Sequence, residues 1–459
     1  MFSHNPHKIR PALLGTIVTM SAIMGLVPLT AIACSTYYVA TNGNDGNVGS
    51  LTKPWQHIAT GGYRIKACDT LYVRGGVYNE DLVILNQLST AAQPTRVWAY
   101  NGEAPILDAS NIAYGLYDPF FLLNGQNIIV SGFEVRNGGT GIYLQGNNDT
   151  VSNMKVHHVL GTGILAKGDY SVVQNSTVYQ TCLDHYNYLI GNGGHSGWGT
   201  GISAARNPVT GITRHAQLTG NTVYNVWGEG LSTYEADGTL ISNNTVYDNW
   251  AENTYISDAS NVLFKDNLVY NTANNVVGKR ANLLSLADEV ASVPRSTNNV
   301  VINNMFLNGN LDAFSWTIVP GSGLSNAFIT NNTLVNGTLN TGNINQASVV
   351  ENNIFFRNDG GAVAAVPTLS GLQFTNNIWS SKPAFIDPND WITNPQLALT
   401  GTITAGTLSK TYFAISATSP AISDGQPVLV TVSNYTVSSQ ATNLNVGAYI
   451  TDPIKYTAS

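Results

Sequence analysis

The stretch that decides the fold is a doublet, WGEGLSTYEADGTLISNNTVYDN at residues 227–249 followed directly by WAENTYISDASNVLFKDNLVYNT at residues 250–272. The two segments align without a gap, and their tryptophans, acids, asparagines and tyrosines fall in the same places. A segment that recurs at a fixed short period indicates stacked supersecondary units. Each unit contains three short runs, such as GLSTYEA, GTLIS and NTVYD, separated by turn residues. Three strands per unit predict an all-β fold, a parallel β-helix.

An Asn-x-x-Val-Tyr tag, or a near relative of it, extends the pattern beyond the doublet. The steps between its leading asparagines are 46, 23, 23, 37, 28, 21 and 24 residues. These asparagines are Asn175, Asn221, Asn244, Asn267, Asn304, Asn332, Asn353 and Asn377. Stacked asparagines can hydrogen-bond through their amides to the turn backbone and to the next unit, so the tag predicts an asparagine ladder.

The composition excludes several classes of protein. The chain is 43% hydrophobic and only 10% charged, which is the opposite of a disordered protein. Its net charge is −7, and its 20 basic residues form no stripe along the sequence. A nucleic-acid partner would need such a stripe, so we expect no nucleic-acid binding.

The first 33 residues combine basic residues, an apolar run and an Ala-x-Ala site at residues 31–33, which predicts a secretory signal peptide. A transmembrane anchor is the alternative, but Pro28 interrupts the apolar run. We therefore expect a secreted, periplasmic or surface protein that has no transmembrane helix once processed. The mature chain would begin at Cys34, which could carry a lipid anchor or form a disulfide with Cys68.

The segments YYVATNGNDGNVGSLTKPWQHIATG (37–61) and DTLYVRGGVYNE (69–80) resemble the opening of the family-nine pectate lyases. SPAISDG (419–425) and NVGAYI (445–450) resemble the tail of such proteins. The resemblance implies a right-handed β-helix over residues 34–380 and a β-rich C-terminal segment over 381–459 that caps it. It also implies a monomer that cleaves a uronic-acid polysaccharide by β-elimination, with calcium held by acids and a lysine as base.

Two columns of acids stand out when the units are stacked. Glu229 falls over Glu252, and Glu235 falls over Asp258, so like charges lie about 5 Å apart at strand spacing. A cation, a shared proton or a neighbouring Arg206 would relieve the repulsion. For the first of these alternatives, the predicted calcium ligands are Glu229, Glu252 and Asp258.

Other polar residues face outward on the same strands. Abstraction of a proton beside a carboxylate needs a basic group and a charge stabiliser, so the predicted catalytic residues are Lys167, Arg206, Tyr234 and Glu235. The 181–200 insertion, TCLDHYNYLIGNGGHSGWGT, breaks the repeat beside this face. Insertions in repeat proteins commonly build the binding face. The predicted substrate-binding residues are Asp184, His195, Trp198 and Tyr255.

Two further interpretations stay open. The stacked carboxylates also suit a glycoside hydrolase, whose two carboxyl groups lie about 5–5.5 Å apart for retention or about 6.5–9.5 Å apart for inversion. The protein could instead only bind glycans. The tryptophans at 198, 227 and 250 predict either internal packing or a column of platforms for sugar rings.

Overall fold

The computed structural model of the chain describes residues 33–273, 281–290, 295–432, 435–439, 444–448 and 454–458. The predicted signal peptide, apart from Ala33, lies outside these residues. In the part that is described, no helix is long and apolar enough to cross a membrane.

Three long parallel sheets, which we call A, B and C, form the body of the protein, and a complete coil contributes one strand to each sheet in that order. The predicted parallel β-helix is therefore confirmed. Sheet A has the strands Val83–Leu85, Pro119–Leu123, Thr140–Leu144, Ile164–Ala166, Thr200–Ala204, Glu229–Tyr234, Glu252–Ser257, Asn282–Ala287, Leu311–Ala313, Leu339–Thr341 and Ala364–Ala365. Sheet B has the strands Thr36–Val39, Thr70–Val73, Thr95–Ala99, Ile128–Ser131, Thr150–Ser152, Val172–Gln174, Gln217–Thr219, Leu240–Ser242, Leu263–Lys265, Val300–Ile302, Phe328–Thr330, Ser348–Glu351 and Leu372–Thr375. Sheet C has the strands Gly76–Tyr78, Pro105–Asp108, Glu134–Gly138, Lys155–Val159, Thr177–Tyr179, Thr222–Tyr224, Thr245–Tyr247, Leu268–Tyr270, Met305–Leu307, Thr333–Val335, Ile354–Phe356, Ile378–Trp379 and Trp391–Ile392.

Smaller elements lie outside the three long sheets. Thr213–Arg214 pairs with Ala236–Asp237, and Leu324–Ser325 pairs with Asn345–Gln346. Three antiparallel strands form near the C-terminus, and the described residues also include two α-helices and a 3-10 helix. The strands are Leu429–Val432, Tyr435–Ser439 and Ile454–Ala458, and the helices are Ile58–Arg64, Leu183–Leu189 and Lys410–Phe413.

The core is the interior of the coils, and strand alternation decides which side chains enter it. Because successive side chains of a strand point to opposite faces, alternate residues of each strand point into the interior of the coil. In sheet A, Ile202 pairs with Leu231, and Leu231 pairs with Thr254 on the next strand. Leu231 and Ile256 are both fully buried, so they belong to the core of the coils.

The predicted asparagine ladder exists. From Asn221 to Asn377, each side-chain amide donates to the side-chain oxygen of the next member at 2.9–3.1 Å. The same amide also donates to a backbone carbonyl, as Asn244 does to Leu218 at 2.9 Å. The prediction for Asn175 is wrong by one residue. Ser176 occupies the position that corresponds to Asn221, and it donates its backbone N–H to the Asn221 side-chain oxygen. Asn175 instead takes the left-handed turn position that precedes the ladder.

Cys34 and Cys68 form a disulfide with Cα atoms 5.2 Å apart. This bond joins the start of the described chain to the first coil. A sulfur in a disulfide cannot at the same time carry a lipid through a thioether, so the structure corresponds to the disulfide alternative at Cys34. Cys182 is a buried free thiol.

The chain beyond residue 380 first adds one strand to sheet C and then packs along the side of the coils. Tyr412 and Phe413 pack against Tyr247 and Tyr270 on the outer face of sheet C. The phenol of Tyr270 accepts a hydrogen bond from the Gly406 N–H at 2.8 Å. Other apolar residues of this segment cover the outer face of sheet B. The outer faces of sheets B and C are therefore partly covered, while sheet A keeps an accessible outer face.

Candidate functional site

A cavity of about 370 Å³ lies on the outer face of sheet A, at the edge where the strands Glu229–Tyr234, Glu252–Ser257 and Asn282–Ala287 begin. Its walls combine carboxyl groups with large aromatic rings. The lining residues are Trp198, Glu229, Trp250, Ala251, Glu252, Tyr255, Asn282, Ser285, Leu286, Ala287, Glu289, Asp312 and Trp316. We call it the acidic cavity.

The repeat is what brings the first two glutamates together. Leu231 pairs with Thr254, so the same register places Glu229 beside Glu252 on the neighbouring strand. Neighbouring strands lie about 4.8 Å apart, and both residues are the first of their strands. The predicted stacking of this acidic pair is therefore present in the structure.

Glu229 is a carboxyl group that stays protonated at neutral pH. Burial raises its pKa to about 8, and the nearby charges of Glu289 and Glu252 act in the same direction. Hydrogen bonds with Ser232 and Trp198 oppose the shift without cancelling it. A carboxylic acid that keeps its proton near pH 7 can donate that proton to a bound molecule.

Glu252 has a different environment. Ser285 donates its hydroxyl to one carboxylate oxygen at 3.0 Å, and Asn282 donates its amide to the other at 3.3 Å. Both donors lie on the next strand of sheet A, where Glu252 pairs with Asn282 and Tyr255 pairs with Ser285. These contacts hold the Glu252 carboxyl group as an acceptor and orient it within the cavity.

A third carboxyl group, that of Glu289, lies against a tyrosine. The Tyr255 hydroxyl donates to the Glu289 carboxylate. Burial, followed by this contact, raises the pKa of the Tyr255 phenol. The tyrosine is therefore a neutral hydrogen-bond donor rather than a base, and it presents its ring to the cavity.

The tryptophan column splits into two groups. Trp198 and Trp250 pack edge to face with ring centroids 5.4 Å apart, and both line the acidic cavity. Trp227 lies elsewhere, packed against Tyr186 at 4.4 Å and against the core. Trp198 is half exposed, and so is Trp316, which lines the same cavity from a later coil. The platform interpretation thus fits Trp198 and Trp250, and the packing interpretation fits Trp227.

The predicted catalytic set does not line this cavity. Arg206 forms an ion pair with the buried Glu235 at 2.8 Å, and Arg295 reaches the same carboxylate oxygen at 3.3 Å. Tyr234 is the last residue of its strand, so it stands beside this pair at the far edge of sheet A. These residues form a separate ionic cluster, and their catalytic role stays a prediction.

Lys167 also lies outside the acidic cavity. Its ammonium group sits 5.2 Å from the ring centroid of Tyr143, and burial lowers the pKa of this lysine. Asp184 and His195 form a pair at 2.9 Å and line a second cavity, of which Trp198 is also a wall. Of the four predicted substrate-binding residues, only Trp198 and Tyr255 reach the acidic cavity.

The arrangement of the predicted calcium ligands does not fit a calcium site. Calcium takes six to eight oxygen ligands that converge on one point. No group of three or more Asp, Glu, His or Cys residues in the described ranges could hold a metal ion. One Asp258 oxygen accepts the backbone N–H groups of Glu289 and Val290 and the Ser257 hydroxyl. Calcium binding itself stays a prediction for experiment.

The sequence pattern does not indicate several of the lining residues, because they lie beyond the strict repeat. They are Asn282, Ser285, Leu286, Ala287, Glu289, Asp312 and Trp316. The coils that contain them follow steps of 37 and 28 residues rather than 23. Tyr255, Ser285 and Asp312 form one outward column of paired residues. Extending the column from Tyr255 along the sequence would have indicated Ser285 and Asp312.

Together, these features define a parallel β-helix protein with an acidic cleft walled by aromatic rings on one sheet. The chain belongs to the Pel9A-like right-handed β-helix family, whose model matches residues 37–267. This match covers the opening segments and the repeat, and it confirms the resemblance to the family-nine pectate lyases.

Comparison with individual proteins agrees with the family. Pectate lyase L of Paenibacillus polymyxa is 33% identical over 177 residues, which is 36% of this chain and 37% of that protein. The chain thus matches little more than a third of the length of this relative. The crystal structure of pectate lyase Pel9A superposes with a TM-score of 0.56 at 17% identity, over 91% of this chain and 97% of that one. A lacto-N-biosidase of Eubacterium ramulus superposes with a TM-score of 0.50 at 13% identity, over 75% and 67% of the two chains. At these identities the solved structures establish the fold alone.

Proposed function

We propose that this protein cleaves glycan chains, and that it does so by hydrolysis of a glycosidic bond in the acidic cavity. The observation that carries the proposal is the pairing of two unlike carboxyl groups on adjacent strands. Glu229 keeps its proton at neutral pH, whereas Glu252 accepts hydrogen bonds on both oxygens. Two titratable groups whose environments differ in this way suit the roles of acid and base.

The chemistry follows from these two groups. Glu229 donates its proton to the glycosidic oxygen while the Glu252 carboxylate attacks the anomeric carbon, and the carbon–oxygen bond to the leaving sugar breaks. The glycosyl ester on Glu252 is then attacked by water, whose proton returns to Glu229. Strand spacing of about 4.8 Å is close to the carboxyl separation of about 5–5.5 Å in retaining enzymes. We therefore propose net retention of the anomeric configuration.

The walls of the cavity suit a sugar ring. Flat aromatic rings pack against the apolar faces of sugars, and Trp198 and Trp250 offer such surfaces beside the glutamates. Asn282 and Ser285 add donors and acceptors for hydroxyl groups. The described lining contains no Lys or Arg to neutralise a uronate carboxylate, and this favours hydrolysis over elimination at this site.

A second candidate is β-elimination on a uronic-acid polysaccharide, the activity that the family resemblance implies. It is supported by the relative named pectate lyase L and by a lysine with a lowered pKa, Lys167, on the same outer face. In this mechanism Lys167 would take the proton, with Arg206 and Tyr234 near the developing charge. Glu235 would hold Arg206 in place through their ion pair.

We further propose that the protein is exported and acts as a monomer. The Cys34–Cys68 disulfide supports export, because such bonds persist in oxidising compartments. The accessible glycan-facing sheet supports action on extracellular chains. Size-exclusion chromatography with light scattering tests the oligomeric state.

The experiment that separates these chemistries is a polysaccharide panel incubated with the purified mature protein. Hydrolysis creates new reducing ends but no unsaturated sugars. Elimination creates new reducing ends and also unsaturated sugars, which absorb ultraviolet light. Reducing ends alone on one polymer support the first proposal. Unsaturated products support the second, and binding without cleavage contradicts both.

A further inference from the structure

A second cavity, of about 330 Å³, lies on the other side of Trp198. It follows the same edge of sheet A as the acidic cavity, and the 181–200 insertion forms part of its wall. Its polar lining includes Thr140, Tyr143, Asp184, His185 and His195. Trp198 is the wall that the two cavities share.

His185 is the unusual residue of this second cavity. Its side chain is almost completely buried, with 2% of the residue exposed, yet neither ring nitrogen has a hydrogen-bond partner among the described residues. Its ring contacts Trp250 at 4.6 Å and Trp198 at 5.5 Å between centroids. An unpaired buried polar group costs free energy, so each such group in a native protein calls for an explanation. A ligand that hydrogen-bonds to the imidazole would supply one.

The charges around the cavity restrict the chemistry of that ligand. Asp184 is already paired with His195 at 2.9 Å. The described lining of both cavities contains no Lys or Arg, while the acidic cavity adds several carboxyl groups. An anionic ligand would meet the carboxyl groups of the acidic cavity, and Lys167, which stands over the Tyr143 ring at 5.2 Å, belongs to neither lining. The lining therefore suits a neutral molecule with a ring face for Trp198 and hydroxyl groups for His185.

The two cavities are aligned along the helix axis. Together their linings extend from Tyr117, which precedes the strand Pro119–Leu123, to Asp312 in the strand Leu311–Ala313. This distance covers seven strand steps of sheet A, or about 34 Å at about 4.8 Å per step. It is long enough for an extended chain of several sugars.

We infer that the second cavity is a sugar subsite for a neutral, hydroxyl-rich monosaccharide unit, adjacent to the unit bound in the acidic cavity, with His185 as its hydrogen-bonding residue and Trp198 between the two units. This inference rests on the proposed function and deepens it, because it assigns the substrate to neutral glycans of at least two residues. His185 is here a binding residue that does not touch the bond being cleaved.

The test compares His185→Phe with Tyr186→Phe. His185→Phe keeps a ring of similar size among Trp198, Trp250 and Tyr188 while removing both nitrogens. Tyr186→Phe is the matched control, because this residue lies on the same helix but lines neither cavity. Circular dichroism and melting curves establish that both variants are folded. If His185→Phe is not folded, His185→Leu, which also removes both nitrogens, takes its place with the same readouts.

Two readouts are measured with neutral oligosaccharides of increasing length and with uronate oligosaccharides of the same length. The first is binding, followed by tryptophan fluorescence, and the second is the KM for cleavage. For neutral chains long enough to pass Trp198, His185→Phe should weaken binding and raise KM by about tenfold, since one to two hydrogen bonds are lost. The kcat/KM for a substrate that fills only the acidic cavity should fall much less than the kcat/KM for the longer chains.

The outcomes distinguish this inference from the proposed function. Binding that depends on His185 in a protein that cleaves nothing would support the subsite and overturn the assigned catalysis. Cleavage with equal effects of His185→Phe on short and long substrates would support the catalysis and overturn the subsite. Uronate chains that bind as tightly as neutral chains would overturn the neutral-sugar assignment.

Discussion

Glu229 and Glu252 begin neighbouring parallel strands in register, so that a carboxyl group with a raised pKa lies beside one that accepts hydrogen bonds on both oxygens. The relationship arises from the 23-residue repeat, which places the same side chain at the same point of successive coils. The repeat alone would make the two groups alike. Ser285 and Asn282, from a coil outside the strict period, donate to Glu252, whereas burial and contacts with Ser232 and Trp198 act on Glu229.

The raised pKa of Glu229 predicts a specific dependence of stability on pH. The pKa is 4.5 for an ordinary glutamate and about 8 for Glu229 in the folded state. Between these values the unfolded chain has lost the proton and the folded protein keeps it. Because the folded state then binds more protons, the free energy of unfolding falls as pH rises from about 4.5 to about 8.

Glu229→Gln is the variant that isolates this contribution. It cannot ionise, so the difference in melting midpoint, wild type minus variant, should fall across this range and level off above it. Asp149 and Glu351, whose pKa values are raised to about 7 by burial, are common to both proteins and cancel in the difference. Parallel melting curves at all pH values would show that Glu229 titrates normally.

Leu231→Ala should lower the free energy of unfolding by about 2–5 kcal/mol. The side chain is fully buried between Ile202 and Thr254 in the inward column of sheet A, so its removal leaves a cavity. Chemical denaturation measures the change. Val209→Ala, at a position that is 90% exposed, is the control and should have little effect. Equal stabilities for the two variants would contradict the register.

Calcium tests the predicted ligands Glu229, Glu252 and Asp258, and the melting midpoint should rise if the ion binds to them in the native state. A ligand that binds only the native state raises its midpoint, so the comparison of calcium with EDTA is a direct measurement. A rise with calcium that disappears in Glu252→Gln would restore the predicted metal site. A rise that persists in this variant would place the ion elsewhere.

Arg206→Ala separates the two candidate chemistries. Its side chain is 60% exposed and does not line the acidic cavity, so hydrolysis should change by no more than about threefold. If the protein is instead a lyase that uses the Arg206 cluster, turnover on its polymer should fall by about a hundredfold. Steady-state kinetics, measured on the polymer that the protein cleaves in the panel, distinguishes a threefold change from a hundredfold loss of turnover.

The fold could be predicted because the sequence repeats its own geometry. The doublet and the asparagine steps each predicted a feature that the structure contains. The prediction failed by one residue at Asn175. The step of 46 residues from Asn175 to Asn221 includes the insertion between Tyr179 and Thr222, so the spacing alone does not give the register. Their strands pair directly, with Tyr179 opposite Tyr224, and this requires a step of 45.

The site could be predicted only in part, because the period ends where the cavity is completed. Glu229, Glu252 and Tyr255 stand in the doublet and Trp198 in the 181–200 insertion, and the sequence identified all four. Glu289 lies in a turn that no other coil repeats, so nothing in the spacing indicates that Tyr255 would reach it. From the sequence, Glu229 and Glu252 had the same predicted role. The burial and hydrogen bonding that distinguish their carboxyl groups are properties of the folded chain.

The most direct test of the central claim is the rate at which Glu229→Gln cleaves two substrates with the same sugar and different leaving groups. A natural glycosidic oxygen needs a proton to leave, whereas an activated aryl leaving group does not. We expect the variant to lose at least about a hundredfold in kcat/KM on the natural glycan and far less on the aryl glycoside, while remaining folded. Equal losses on both substrates, or wild-type rates on both, would contradict the assignment of Glu229 as the proton donor.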